Sequence, residues 1–181
     1  SRKYVLTGRE RHTHARPDNL GYPARAIRTH QYLYIKNFKP ELWPQGDPRP
    51  VKTDNSVAGK DSEYKEIGFG YEDIDDSPSK ASMLFNQKEI PHLFQIGFEK
   101  RPSEELYDII TDPFCLKNLA HNASFKGIKS ELSKILMSEL VKQGDPRTGA
   151  HGNVFDSYPR FGKMRNFGGF KQQGAYNEAF K

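Results

Sequence analysis

The chain has 181 residues, 35 % of them hydrophobic, with 28 basic against 23 acidic side chains and a formal net charge of +5. That is enough for one domain with a core of its own, while no apolar run approaches the roughly 20 residues that a membrane-spanning helix needs. The charges are interspersed, without the basic run that marks a nucleic-acid arm, so neither nucleic acid nor a membrane is expected as a partner, although a basic surface suits sulfated or phosphorylated polyanions.

Residues 4–7 read as a strand ended by Gly8, and the polar stretch 9–20 as a loop. Strands are expected over 24–29 and 32–38, joined closely enough to form an antiparallel hairpin. Tyr32, Tyr34 and Lys36 would share one face of it, and Leu33, Ile35 and Asn37 the other. Residues 39–76 form a long insertion rich in Pro, Gly and charge, and such loops tend to carry function. Its aromatic end, 69–75, is expected to pack on something. Ser77 caps and Pro78 starts a helix, with Ala81, Leu84 and Phe85 on one face. Pro91 starts a second helix, apolar nearly all round through Leu93, Phe94, Ile96 and Phe98.

The stretch 104–110 alternates as a half-buried strand does, with Leu106 and Ile110 on one face and Glu105, Tyr107 and Ile109 on the other. Asp112-Pro113 stops it. Leu116 and Leu119, three apart, predict one short helical turn that buries both. Residues 124–143 make the clearest helix, with Phe125, Ile128, Leu132, Ile135, Leu136 and Leu140 in one stripe. Gly144 is placed to end it, with Pro146 just beyond. From Asp145 the chain is a polar, aromatic and Gly-rich tail that could bury little alone and is expected to wrap over a larger protein. Gly168-Gly169 reads as a turn. The single cysteine, Cys115, allows no internal disulfide and reads as a small buried apolar residue. The expected fold class is α+β: a small antiparallel β-sheet packed against a long amphipathic C-terminal helix, with long loops and an extended tail.

Several stretches also resemble a family. Glu105-Leu106-Tyr107-Asp108, then Asp112-Pro113, then Asn118-Leu119-Ala120 resembles the signature near the C-terminus of type I sulfatases, the formylglycine-dependent sulfate ester hydrolases. Gly8-Arg9-Glu10-Arg11-His12, followed by Gly21-Tyr22-Pro23-Ala24-Arg25-Ala26-Ile27-Arg28-Thr29, resembles the segment joining their catalytic domain to the C-terminal subdomain. Tyr32-Leu33-Tyr34-Ile35-Lys36-Asn37-Phe38 resembles the strand after it. With Ser77-Pro78-Ser79-Lys80 and Phe155-Asp156-Ser157-Tyr158-Pro159 the chain looks most like the heparan N-sulfatase (sulfamidase-like) branch, which acts in glycosaminoglycan degradation. Family members carry their nucleophile in Cys-x-Pro-x-Arg or Ser-x-Pro-x-Arg. Cys115 is instead followed by Leu-Lys-Asn-Leu, and the acidic metal-binding cluster is absent.

The resemblance therefore implies the C-terminal portion of a sulfatase hydrolysing sulfate esters or N-sulfates of a sugar, inactive on its own. Residues 1–23 would link from an absent catalytic domain, 24–144 would be the C-terminal α+β subdomain with its insertion at about 39–76, and 145–181 the tail. The expected partners are that N-terminal catalytic domain of the same polypeptide and a sulfated saccharide. Calcium and formylglycine are expected in the full-length enzyme and no cofactor in this chain. The whole protein would be periplasmic or extracellular, or lysosomal in an animal.

Arg9-Glu10-Arg11-His12-Thr13-His14 is the densest polar cluster, immediately after a strand. Arginine offers a planar fork of donors to sulfate or carboxylate, and histidine donates or accepts near neutral pH. The resemblance puts this loop beside the active-site pocket, so His12 first, then Arg11, Glu10 and Arg9, are the candidate substrate-binding residues, with no catalytic residue in the chain. From the residues alone, surface salt bridges and solvated imidazoles are the favoured explanation of the cluster. A metal site on His12 and His14 lacks the three or four converging ligands required. Arg25 and Arg28 suit acidic residues of a missing domain. Asp108 reads as a loop-securing residue, Asp112 as a turn residue, and Trp43 and Tyr71 as anchors of the insertion rather than platforms for sugar rings. The competing reading is a free-standing, non-catalytic carbohydrate- or polyanion-binding module.

Overall fold

The computed structural model describes residues 2–48, 70–162 and 169–181. The middle of the insertion, with Phe69, and Gly168 of the expected Gly-Gly turn lie outside the described residues. Strands β1 (Val5–Arg9), β2 (Ala24–Arg28) and β3 (Tyr32–Asn37) come first. Helices α1 (Pro78–Phe85) and α2 (Pro91–Gly97) precede β4 (Glu104–Asp108), and the long α3 (Lys126–Lys142) and short α4 (Val154–Ser157) follow. The sheet runs β1-β2-β3-β4 in space, every pair antiparallel. The class is α+β, as the sequence implies.

Pairing and burial both follow from the alternation. Ile27, Tyr34 and Leu106 point to one face and are fully buried there against Leu132, Leu136 and Leu140 of α3. Each such aliphatic side chain contributes about 1.5–3 kcal/mol by leaving water. The helix is also fastened by polar contacts: the Tyr34 hydroxyl lies 2.7 Å from Glu104 Oε1 and 3.1 Å from Ser133 Oγ, and Lys129 Nζ lies 3.1 Å from Glu104. Gly144, at φ +68°, closes α3. Its amide donates to Val141 O and the Asp145 amide to Leu140 O, the paired bonds that a left-handed residue permits. At the other helix starts, Ser77 Oγ accepts from the Lys80 amide at 3.2 Å, and prolines stand at the first turns of α1 and α2.

Four expectations need correction. β1 does not end before Gly8; it continues to Arg9, with Gly8 paired to Arg25. A Cβ at Gly8 would come within 3.0 Å of Arg25 Cδ, so glycine here makes room for the arginine side chain rather than stopping the strand. The turn expected to bury Leu116 and Leu119 together is not helical. Leu119 is buried, but Leu116 is 60 % exposed, because the segment spends its hydrogen bonds on β4. The Leu106 amide donates to Asn118 Oδ1 at 3.0 Å, and the Leu119 amide donates to Leu106 O at 2.7 Å. Cys115 sits half-buried at φ +54° in that turn. The strand also ends sooner than the alternation suggests. Asp108 Oδ1 accepts from the Ile110 and Thr111 amides, and Gln31 Nε2 donates to Oδ2, so Asp108 secures a loop as expected while Ile110 turns outward. Asp112 likewise acts as a turn residue, accepting from the Lys117 amide at 2.8 Å.

The fourth correction concerns the tail, which buries more than its composition suggests. Asp156 and Ser157 are fully buried and Asn177 nearly so. The Asn177 amide donates to Ser157 O, Asn177 Nδ2 donates to Asp18 O, and the Phe170 amide donates to Asp18 Oδ1. The tail thus closes on the 10–22 loop of its own chain through polar contacts, which no apolar periodicity announces.

Leu136→Ala should lower unfolding stability by about 2–5 kcal/mol, the usual range for emptying a buried leucine site, read from urea denaturation of the pure chain. A loss below about 0.5 kcal/mol would mean that α3 does not pack on the sheet as described.

Candidate functional site

Beyond Arg9 the chain leaves the sheet and returns at β2, and this loop is organised by two carboxylates. The first, Asp73, comes from the far end of the insertion. A bridge between Pro48 and Gly70 brings the two ends of the insertion together, and the Asp73 amide donates to Gln45 O. Asp73 Oδ1 accepts from the Thr13 amide at 3.1 Å, and Oδ2 accepts from Arg16 Nη2 at 2.6 Å. Arg9 Nη2 lies 3.2 Å from the same Oδ2, and His12 Nδ1 lies 3.3 Å from the Asp73 carbonyl. Arg16 is fully buried, and burial depresses its guanidinium despite Asp73. Nε also donates to Trp43 O and Nη2 to Pro44 O, while Nη1 is buried without a hydrogen-bond partner among the described residues.

The second carboxylate is Glu10. It accepts from Arg25 Nη2 at 2.7 Å and from Arg147 Nη2 at 2.6 Å. Each arginine then meets another acid: Arg25 Nε donates to Asp145 at 2.6 Å, and Arg147 Nη2 lies 3.2 Å from Asp156. Asp156 also accepts from the Gly21 amide at 2.9 Å and from Lys39 Nζ at 2.8 Å. Arg11 reaches this end of the ladder, donating to Phe155 O at 2.7 Å with Asp156 at 3.9 Å. Phe155 presents its ring to both Arg25 and Arg147. Burial alone would raise Asp156, but the Gly21 amide, Lys39 and Arg147 outweigh it and hold the carboxyl below its ordinary range. Asp145 is held down the same way: burial works against it, and the bond from Arg25 and the Arg147 amide prevail. Arg11 is lowered by burial, against the pull of Asp156 and Glu10.

The four candidate residues therefore divide. Glu10 is committed to two guanidinium groups and Arg11 to the Phe155 carbonyl, so both face the tail. Arg9, with 38 % of its side chain exposed, and the exposed His12 stand together on Asp73 at the open side of the loop. His14, two residues on, is fully buried, so it does not project beside His12. Among the described residues, no three His, Cys, Asp or Glu side chains converge as a metal ion would require. Arg25 finds its acids within this chain, not in a missing domain. Trp43 and Tyr71 pack edge to face, and Tyr71 packs on Phe94 and Phe98, so they anchor the insertion as expected.

Sequence reasoning missed Asp73, Arg147 and the ladder role of Asp145 and Asp156. Asp73 lies in an acidic run, 72–76, with nothing to mark it out. Asp156 had a signal, since it falls within the Phe-Asp-Ser-Tyr-Pro stretch that carries part of the resemblance.

No protein-family model matches the chain. Two ulvan-active sulfatases of Formosa agariphila are similar to it. One is 47 % identical over 124 residues, which is 68 % of this chain and 18 % of the relative. The other is 31 % identical over 121 residues, which is 67 % of this chain and 17 % of the relative. The chain thus spans less than a fifth of the length of the curated relatives it matches, and it contains a sulfatase-related region with no particular branch assigned.

The ladder predicts two responses. Arg147→Met should cost about 1.5–3 kcal/mol, the scale of lost hydrogen bonds to charged groups, because the half-buried Glu10 keeps Arg25 and the buried Asp156 keeps Lys39, read as a drop in urea midpoint. Acid should also unfold the chain. Asp145 and Asp156 are depressed in the folded state, so their contribution is present above the ordinary carboxyl value of about 4 and is lost as pH falls through the folded values. Stability measured from neutral pH into acid should fall more steeply in the unmodified chain than in Asp156→Asn, and equal slopes would remove Asp156 from the account.

Proposed function

We propose that this chain is the C-terminal portion of a sulfatase acting on a sulfated saccharide, and that its 9–12 loop forms part of the substrate-subsite wall. The observation that carries this is the 47 % identity to an ulvan-active sulfatase over 124 residues. The geometry of Arg9 and His12 supports it. A half-exposed guanidinium beside an exposed imidazole offers a charged fork to a sulfate or carboxylate and a single polar nitrogen to a neighbouring hydroxyl. Glu10 and Arg11 serve the same wall indirectly, by fixing the loop to the tail.

On this reading the chemistry at sulfur belongs to a preceding catalytic domain of the same polypeptide. Calcium and formylglycine are then expected in that preceding domain. Among the described residues no acidic or imidazole cluster converges, and Cys115 stands before Leu-Lys-Asn-Leu rather than in the nucleophile motif. Residues 1–23 act as the link and 24–144 as the subdomain. The full enzyme acts outside the cytoplasm, in a periplasm or extracellular medium. The heparan N-sulfatase branch draws on the 77–80 and 155–159 motifs together with the earlier stretches, and both motifs have work in the fold: Ser77 caps α1, and Asp156 holds the ladder. The closure of the tail on its own chain favours a second reading, a free-standing saccharide-binding module, since it gives the tail a surface to cover.

The test is the native polypeptide. Its mass should be several-fold above the 20.8 kDa of this chain, with a Cys-x-Pro-x-Arg motif upstream. In that enzyme His12→Ala should raise KM for a sulfated oligosaccharide about tenfold, the scale of one lost polar contact, and leave hydrolysis of a small aryl sulfate nearly unchanged. A native product of this chain's size overturns the enzyme reading in favour of the binding module.

A further inference from the structure

The insertion's far end, at Asp73, contacts both outward-facing residues of the loop. A backbone carbonyl only accepts hydrogen bonds, so the 3.3 Å approach of His12 Nδ1 to the Asp73 carbonyl requires the proton on Nδ1. The neutral ring then turns a lone pair outward at Nε2. Beside it, the Asp73 carboxylate holds Arg9 at 3.2 Å and the Thr13 amide at 3.1 Å, so the backbone between these side chains is pinned as well.

Asp73 itself has little freedom. Its amide is bonded to Gln45 O, the preceding bridge ties Pro48 to Gly70, and Lys80 Nζ donates to the Ile74 carbonyl at 3.0 Å. The Asp47 amide donates to Ala15 O, joining the base of the insertion to the loop directly. At that joint Gly46 has φ +94°, and a Cβ there would lie 2.8 Å from Ala15 Cβ and 2.9 Å from both Ala15 O and the Glu72 nitrogen. Only glycine fits, and the closeness it allows brings Asp73 within reach of His12.

We propose that Asp73 is the positioning residue of this site: it fixes His12 as the Nδ1–H tautomer and holds Arg9 alongside. The site then presents an acceptor next to a cation. The ligand chemistry it fits is a sugar carrying a hydroxyl, which donates to Nε2, adjacent to a sulfate or carboxylate, which meets Arg9. The ligand half of this rests on the saccharide reading above; the tautomer does not. The arrangement also makes the described far end of the insertion, at Asp73, part of the site.

Long-range proton–nitrogen NMR of the full chain, labelled at histidine nitrogens and held at alkaline pH, tests it. His12 should be predominantly Nδ1–H. Asp73→Asn keeps the main-chain carbonyl and removes the charge that meets Arg9, so His12 should stay Nδ1–H while the Arg9 guanidinium resonance shifts when arginine is labelled too. Gly46→Ala is run beside it: all charges are kept, the joint is forced apart, and loss of the Nδ1–H predominance is expected. A predominantly Nε2–H His12 in the unmodified chain overturns the proposal, as does an unchanged Nδ1–H signal in Gly46→Ala, or an unchanged Arg9 signal in Asp73→Asn, where the amide spectrum shows an intact sheet. Titration with ulvan oligosaccharides should then shift the Nε2 resonance. If the tautomer is as expected and no shift occurs, the saccharide reading fails while the role of Asp73 stands.

Discussion

The structure hangs on the ladder of alternating charge that runs Asp145, Arg25, Glu10, Arg147, Asp156, Lys39. Charges taken out of water are costly, and their mutual attraction offsets that cost only when each remaining donor and acceptor is met. Here the carboxylates receive two or more donors apiece, and Phe155 covers two of the guanidinium groups. A ladder of this kind adds little net stability over apolar packing. What it supplies is register: one position of the 10–22 loop, relative to β2 and to the tail, satisfies all of its members.

The sheet and α3 stand on other physics. They are held by apolar burial and would have most of their contacts without the ladder. The outward face of the loop would not, because residues 10–12, beyond the end of β1 at Arg9, have no regular structure to hold them. The two carboxylates that organise the loop divide this labour. Glu10 anchors it inward to the tail, and Asp73 sets its outer side. An adaptable polar segment becomes a rigid one by being held from both flanks, which is what recognition of a flexible sugar chain requires.

What the sequence made legible was local. The heptad-like stripe of α3, the hairpin, the Ser77 cap and the Gly144 stop each depend on residues within a turn or two of one another. Leu116 and Gly8 misled because a neighbour overrode the local signal: Asn118 captured the β4 edge, and Arg25 needed the space. Arg9 and His12 stood out as chemistry-bearing residues, but nothing local could say that Glu10 and Arg11 beside them face inward. Their partners, Arg147, Asp156 and Phe155, lie more than 130 positions away, and periodicity carries no information across that distance. Asp73 was hidden for the same reason, among acids that look alike.

The separation of the ladder's two sides also bears on how the chain comes to be made. A polypeptide emerges from its first residue onward, so Glu10, Arg11 and Arg25 are outside the ribosome long before Arg147 and Asp156 are joined to it. Until then the loop has its charges and no counterparts from the tail. The sheet and α3 can assemble while synthesis continues, since their last required residue is near 142. The inward side of the loop, at Glu10 and Arg11, is fixed only when Arg147, Phe155 and Asp156 arrive, whereas Asp73, made some seventy residues earlier, can already hold Arg9 and His12 on the outward side.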